Sequence, residues 1–136
     1  MLKGMATISY FADDLAAATA WYTTLLGVEP YFVRPLEGPP AYVEFRIGDY
    51  QHELGIIDRD WAPHRDTQPG GVVCFWHVED LDAALATLHE MGARTHEPRT
   101  PRGDGFVTAS VIDPFGNILG VMSNPHYVAV RDDKLT

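Results

Sequence analysis

Six histidines, nineteen carboxylates and one cysteine are the side chains of this sequence that could bind a metal ion or transfer a proton. His52 and Glu53 are adjacent in a segment with a strand pattern, so their side chains point to opposite faces and cannot chelate one ion together. His77 alternates with Val73 and Phe75, which places all three on one face of a second strand. A relocated metal site that uses His77 and Glu53 is therefore one hypothesis. A solvated or structural role is favoured for three other histidines, His64, His89 and His96.

The single cysteine excludes an internal disulfide framework and a cysteine-based zinc cluster. Cys74 lies in the apolar run VVCFW, which favours a small buried side chain over a nucleophile. Ten Lys and Arg against nineteen Asp and Glu give a formal net charge of −9 and a pI near 4.9. This balance argues against a nucleic-acid partner and against an anionic membrane surface. It favours a cationic or neutral small molecule as the partner.

The length of 136 residues corresponds to one ordinary domain, which we take to span residues 1–136. Apolar residues make up 46% and charged residues 21%, as in an average soluble globular protein. The first residues carry no secretory-signal pattern, and no apolar stretch approaches the roughly 20 residues that span a bilayer. We therefore expect a soluble, cytoplasmic protein with no membrane partner.

The elements that position these side chains follow from an internal repeat. Residues 7–26 match residues 73–92 at an offset of 66, and residues 47–57 match residues 112–122 at an offset of 65. The two matches occur in the same order, so the repeat decides the architecture before local propensity does. The change in offset requires a one-residue insertion or deletion, which we place at the ends of the two predicted helices.

Each copy predicts the element order βαβββ. Asp13 or Asp14 in the first copy and Asp80 in the second can cap the following helix, and Gly27 and Gly92 suit the helix ends. Strands are predicted at 5–12, 29–34, 41–48 and 52–58, and again at 72–78, 93–97, 105–112 and 117–123. The modules are 5–61 and 72–124, joined by a linker at 62–71 and followed by a tail at 125–136 without a useful period.

Alternation along the predicted strands assigns side chains to one face or the other. In the third strand of the first copy, Tyr42, Glu44 and Arg46 are turned away from the helix. Carried over by the repeat, Thr108 and Ser110 of the second copy are expected to face the helices, an unfavourable place for polar groups.

Two motifs are specific because they occur together with the repeat: a strand ending in DDL or EDL before an amphipathic helix, and the turn DPFGN at 113–117. With them, residues 5–124 resemble the vicinal oxygen chelate superfamily, the glyoxalase, bleomycin-resistance and extradiol-dioxygenase group. The resemblance implies an α+β fold in which two tandem βαβββ modules form a cup-shaped half-barrel sheet with the helices outside. It also implies a homodimer, which agrees with the need of open sheets to protect their edges.

Enzymes of this superfamily hold a divalent metal in the cup. The resemblance places their ligands eight residues before the Leu of the DL motif and three residues after the Asn of the DPFGN turn. These positions are Thr7, Val73 and Gly120, and the repeat adds Gly55 as the fourth. None of the four offers an imidazole or a carboxylate, which divalent ions need as ligands. We therefore predict neither a metal nor another cofactor.

The lining of the cup follows from strand alternation around these positions. Glycine at 55 and 120 either leaves room for a flat ligand or relieves crowding in a curved sheet, and Trp61 is placed to close over the pocket mouth. Glu44 either pairs with a ligand cation or forms a salt bridge with a basic neighbour. The predicted ligand-binding residues are Thr7, Ser9, Phe11, Tyr42, Glu44, Glu53, Gly55, Trp61, Val73, Phe75, His77, Gly120 and Met122.

Three functions are compatible with this site. The first is a metal-free protein that binds or sequesters a small aromatic or cationic compound in the cup. The second is an enzyme of the superfamily, a lyase, isomerase or dioxygenase, with a relocated metal or with acid–base chemistry through Glu44, Glu53 or His77. The third is a module whose cup is filled by its own side chains and which acts through partners.

Overall fold

The computed structural model describes residues 1–3, 5–62 and 69–133. The chain forms two compact units, Met1–Gln68 and Pro69–Thr136. Most of the predicted linker, residues 63–68, lies outside the described residues, as does the end of the predicted tail. Among the described helices, none combines the length and the apolar character needed to cross a membrane.

The described residues of the first unit form one α-helix and one sheet. Its elements are β1 (Thr7–Ala12), α1 (Leu15–Leu26), β2 (Phe32–Arg34), β3 (Tyr42–Ile47) and β4 (His52–Asp58). The strand order is β1-β4-β3-β2, with β1 parallel to β4 and the other neighbours antiparallel. A short 3-10 turn, Arg59–Trp61, follows β4.

The second unit repeats this arrangement and adds a helix. Its elements are β5 (Cys74–His77), α2 (Leu81–Glu90), β6 (Arg94–Gly103), β7 (Phe106–Ile112), β8 (Ile118–Ser123) and α3 (Pro125–Arg131). The strand order β5-β8-β7-β6 has the same parallel pair and the same antiparallel pairs. The predicted α+β fold of two tandem βαβββ modules is confirmed.

Aspartate caps begin the first two helices. The side chain of Asp14 accepts a hydrogen bond from the backbone N–H of Ala17, and the side chain of Asp80 accepts one from the backbone N–H of Ala83. Both donor–acceptor distances are 3.0 Å. Each bond satisfies one of the N–H groups that a helix start leaves without an intrahelical partner. Asp13, the other candidate cap, instead accepts a hydrogen bond from Nε of Arg59 at 3.0 Å.

The core of each unit lies between the helix and one face of the sheet. In the first unit, the fully buried side chains of β3 and β4 pack with Tyr22 of α1; they are Val43, Phe45, Leu54 and Ile56. In the second unit the corresponding buried residues are Ala109, Val111, Leu119 and Val121. Alternation in the strands then turns the intervening residues to the opposite face.

The face predicted for Thr108 and Ser110 is wrong. Ser110 pairs with Gly120 in the β7–β8 register, while Ala109 and Val111 carry the buried positions on the helix side. Ser110 therefore lies on the face away from α2, where its hydroxyl hydrogen-bonds with Nδ1 of His96 at 2.9 Å.

This error comes from the assumed position of the one-residue difference between the copies. Ser110 pairs with Gly120 as Glu44 pairs with Gly55, so β7 follows β3 at an offset of 66 while β8 follows β4 at 65. The difference therefore lies in the turn between the last two strands of each copy and not at the helix ends. A one-residue slip exchanges the two faces of a strand, which is why the prediction inverted β7.

Two segments contain more regular structure than predicted. Strand β6 continues through the predicted turn to Gly103, and its pairing with β7 contains register shifts. It includes Pro98 and Pro101, which are tolerated because β6 is an edge strand. The predicted tail begins with α3. Asn124 caps this helix by accepting a hydrogen bond from Tyr127 N–H at 3.0 Å, and Pro125 occupies the first turn.

Candidate functional site

The first sheet presents a face of chemically diverse side chains, opposite to the face that packs on α1. We call it the candidate face. The register arranges it in three rows across the strands: Thr7, Glu53 and Arg46; Ser9, Gly55, Glu44 and Phe32; and Phe11, Ile57, Tyr42 and Arg34. Seven of these residues were predicted to line the site, and the structure places them together within one sheet.

Glu44 is at the centre of the candidate face and accepts two phenol hydrogen bonds. Tyr42 Oη donates to one carboxylate oxygen at 2.6 Å, and Tyr31 Oη donates to the other. Burial is the main cause that raises the pKa of Glu44 above its usual value; repulsion from Glu53 adds to it and Arg46 opposes it. Burial also raises the pKa of Tyr42, with Glu53 again as the second cause. The Tyr42 hydroxyl is therefore a protonated donor at neutral pH.

Glu53 is the second carboxylate of the face. It accepts a hydrogen bond from Thr7 Oγ1 at 2.8 Å, and its other oxygen lies 3.8 Å from Nη2 of Arg46. The Arg46 guanidinium lies over the ring of Tyr31, 4.4 Å from its centroid. The face thus combines two carboxylates with aromatic rings, a composition suited to a cation.

Both glycines of the predicted site are covered by a ring of the same unit. A Cβ at Gly55 would lie 2.5 Å from Tyr42 Oη, and a Cβ at Gly120 would lie 2.5 Å from Cδ1 of Phe75. The rings occupy the space into which a side chain would extend. This favours the interpretation that glycine relieves crowding over the interpretation that it leaves room for a ligand.

The equivalent face of the second sheet has different chemistry. Phe75, Gly120, Ser110 and Glu97 form its central row. Ser110 stands where the first unit has Glu44, and Glu97 stands where it has Phe32. Thr108 stands in the same way at the position of Tyr42, beside Met122. The carboxylate and phenol pair of the candidate face therefore has no counterpart in this sheet.

His77 lies at the end of β5 and is held by the start of α3. Its Nδ1 accepts a hydrogen bond from the backbone N–H of Asn124 at 3.2 Å, and its ring stacks on Tyr127 with centroids 4.7 Å apart. The buried Nε2 has no hydrogen-bond partner within the described residues and lies 3.6 Å from a carboxylate oxygen of Glu79. Because Nδ1 acts as an acceptor, the neutral ring carries its proton on Nε2.

The residues at the four family ligand positions do not fit a divalent metal. The Thr7 hydroxyl donates to Glu53, Val73 has no donor atom, and the rings described above fill the space beside Gly55 and Gly120. Across residues 1–3, 5–62 and 69–133, no three His, Cys, Asp or Glu side chains are grouped as a metal site would require.

The remaining predicted residues lie at the margins, and sequence reasoning missed several others. Trp61 follows β4 and is 73% exposed, and Val73 directly precedes β5. The missed residues are Tyr31, Phe32 and Arg34. Phe32 and Arg34 belong to β2, beside the strand of Glu44, and Tyr31 directly precedes β2. Alternation in the predicted strand 29–34 was the signal that could have found Phe32 and Arg34.

Solved structures with the same fold come from several bacteria. A superfamily member from Sphaerobacter thermophilus DSM 20745 is 22% identical, with a TM-score of 0.71 over 90% of this chain and 98% of that chain. A glyoxalase-related enzyme from Fulvimarina pelagi is 21% identical, with a TM-score of 0.69 over 91% of this chain and 90% of that chain. The glyoxalase/bleomycin resistance protein from Catenulispora acidiphila DSM 44928 is 26% identical, with a TM-score of 0.60 over 88% and 96%.

The comparison with curated proteins gives no match. The family model of the Glyoxalase/Bleomycin resistance protein/Dioxygenase superfamily matches residues 4–121. That range includes β1 to β7, α1, α2 and the first four residues of β8, together with both motifs on which the resemblance is based. The chain therefore belongs to the Glyoxalase/Bleomycin resistance protein/Dioxygenase superfamily.

Proposed function

We propose that this protein binds or sequesters a small aromatic or cationic compound, without a metal ion, and that the candidate face of the first sheet contributes the recognition. The observation that carries the proposal is the central carboxylate, Glu44, held by two phenols and bordered by a second carboxylate and aromatic rings. Carboxylates attract the charge of a cation, and ring faces add cation–π attraction. The net charge of −9 supports the same class of ligand. We further propose a cytoplasmic location.

Calorimetry and thermal-shift measurements with a ligand panel test this function. The panel contains planar aromatic cations, benzyltrimethylammonium, cationic glycopeptides and neutral compounds of matched shape. We expect cations to bind and to bind more weakly at high salt, because exposed charges are screened. Absence of binding across the whole panel would refute the proposal.

A pair of variants locates the binding. Glu44→Gln removes the charge and keeps the size, and we expect it to weaken binding of an aromatic cation about tenfold, the equivalent of about 1.4 kcal/mol. Glu90→Gln makes the same change on the exposed surface of α2 and is the matched control. Equal affinities of the two variants would place the ligand elsewhere.

An acid–base enzyme is the second candidate, favoured by one observation. The raised pKa of Glu44 makes it a better proton acceptor than an ordinary surface carboxylate, and the adjacent phenols can stabilise a developing negative charge. Metal analysis tests a third possibility, an enzyme with a relocated metal site. Stoichiometric Zn, Ni, Fe or Mn in protein purified without chelators would contradict the metal-free function and support a relocated metal site.

A further inference from the structure

Arg46 contacts the groups of the candidate face that suit a ligand cation. Its guanidinium lies 4.4 Å above the centroid of Tyr31 and 3.8 Å from a carboxylate oxygen of Glu53. Tyr31 in turn donates its hydroxyl to Glu44. The guanidinium of Arg46 therefore contacts both an aromatic ring and a carboxylate.

A second guanidinium lies over an aromatic ring next to Tyr31. Arg34 lies over Phe32 with its central carbon 4.0 Å from the ring centroid, and the rings of Phe32 and Tyr31 are 6.2 Å apart. A guanidinium is planar, delocalised and weakly hydrated, so it stacks on a ring while its edge N–H groups reach acceptors in the same plane. Two such contacts on adjacent rings show that this edge of the face accommodates planar cations.

The two arginines differ in how firmly they are held. Arg34 Nη1 donates to the backbone carbonyl of Val33 at 2.8 Å. Arg46 is half exposed, and its ion pair with Glu53 is long and partly exposed on both sides. Such pairs contribute little to stability, because water competes for both charges. Arg46 can therefore leave its position at small cost.

We infer that the Arg46 guanidinium occupies the position that a charged group of the ligand takes when it binds. That group is a guanidinium or amidinium carried by a small compound. The ligand group would displace Arg46, stack on Tyr31 and donate its N–H groups towards Glu53 and Glu44. This inference rests on the proposed function and deepens it by naming the cation. Arg46 is then a specificity-determining residue, since it competes with planar cations for the same ring and carboxylate.

Benzamidine binding measured by calorimetry tests the inference. Arg46→Met keeps much of the apolar stem and removes the guanidinium, and we expect it to tighten benzamidine binding about three- to tenfold. Benzamide, the neutral analogue, should gain nothing. Arg99→Met is the matched control, because Arg99 is also half exposed and forms an ion pair with Asp82, so the change in net charge is the same.

Each result has a defined meaning. Tighter binding to Arg46→Met than to the wild type and Arg99→Met supports the inference, as does binding seen with Arg46→Met alone. Equal or weaker binding to Arg46→Met overturns it and leaves the proposed function standing. Binding of other cations in the panel without benzamidine binding to any variant also overturns it. If neither benzamidine nor the panel binds any variant, the proposed function fails together with the inference.

Discussion

Tyr42 performs two tasks on the candidate face. Its ring covers Gly55, and its hydroxyl donates to Glu44, which is the next residue of the same strand on the same face. Both tasks require the ring to lean across the sheet, which only the absence of a side chain at position 55 permits. The glycine is therefore required by its neighbour and not by backbone conformation, because Gly55 is not among the residues with positive φ.

We predict that Gly55→Ala destabilises the protein by roughly 1–3 kcal/mol, since the new Cβ would force the Tyr42 ring aside. Urea unfolding measures the change. Gly70→Ala is the control, because a Cβ there meets nothing within 4 Å and no positive φ is required. In the double variant with Tyr42→Ala, the penalty at position 55 should largely disappear. An additive double variant would show that the ring is not what excludes the side chain.

Glu44 gives a second residue-level prediction, on pH. A carboxyl whose pKa is raised on folding binds its proton more tightly in the folded state. Its contribution to stability is then fully present below the unfolded pKa of about 4.5 and is lost as pH rises through the folded value. The wild type should therefore lose stability relative to Glu44→Gln as pH rises from about 4.5 towards neutral. Unfolding curves of the two proteins with a constant difference across this range would contradict the assignment.

At the level of elements, α3 is attached to the second sheet through a small set of polar and aromatic contacts. Asn124 caps the helix, and its backbone N–H also donates to His77. Tyr127 stacks on the same imidazole, and Arg131 pairs with Glu79. A seven-residue helix is too short to be stable alone, so these contacts determine whether it stays formed.

We predict that Asn124→Ala loosens α3, because the cap to Tyr127 N–H is lost, with a local effect of about 1 kcal/mol. Hydrogen exchange of the α3 amides measures it. Asn124→Ser retains a capping oxygen and serves as the control, so it should exchange more slowly than the alanine variant. Identical exchange in both variants would mean that the cap does not hold the helix.

The sequence was sufficient for α1, α2 and the strands of the first sheet, and insufficient for α3 and where residue types fit either face. Val43 and Phe45 alternate with Tyr42 and Glu44, so the phase of β3 could be read directly. In β7, threonine and serine are compatible with both faces, so its phase depended on an assumed turn length. Alternation in the predicted strand 29–34 could indicate Phe32 and Arg34 but not Tyr31, which lies just outside the three residues of β2.

The contacts of the candidate face were out of reach for a further reason. Whether Tyr31 reaches Glu44, and whether Arg46 lies on a ring, depends on side-chain direction across neighbouring strands. Sequence spacing sets the strand partners only after the register is known. The sequence nevertheless named Glu44, Glu53 and Tyr42 correctly as members of one face.

At the level of the whole molecule, the two units share a backbone plan and differ in chemistry. Registers around Gly55 and Gly120 are equivalent, yet Glu44 and Tyr42 of the first sheet correspond to Ser110 and Thr108 of the second. The duplicated fold therefore supplies two similar sheets of which one carries the paired carboxylates.

The sheet edges lead to a prediction on assembly. Each four-stranded sheet has two edge strands, β1 and β2 in one sheet and β5 and β6 in the other. Unpaired edges favour association unless they are protected, and β6 carries two prolines that serve this purpose. We predict a homodimer, with about twice the chain mass of 15.1 kDa in light scattering after size-exclusion chromatography. A mass of one chain throughout the micromolar range would refute it.

The rings over Gly55 and Gly120 have a consequence for how this lineage can change. A mutation that introduced a carboxylate at either position would place its side chain in occupied space, so it would destabilise the fold. Tyr42 or Phe75 would have to shrink first, and that step alone brings no chelation. Gaining carboxylates at both positions thus needs paired mutations in each half of the duplication, so no single mutation leads this chain towards a carboxylate pair there.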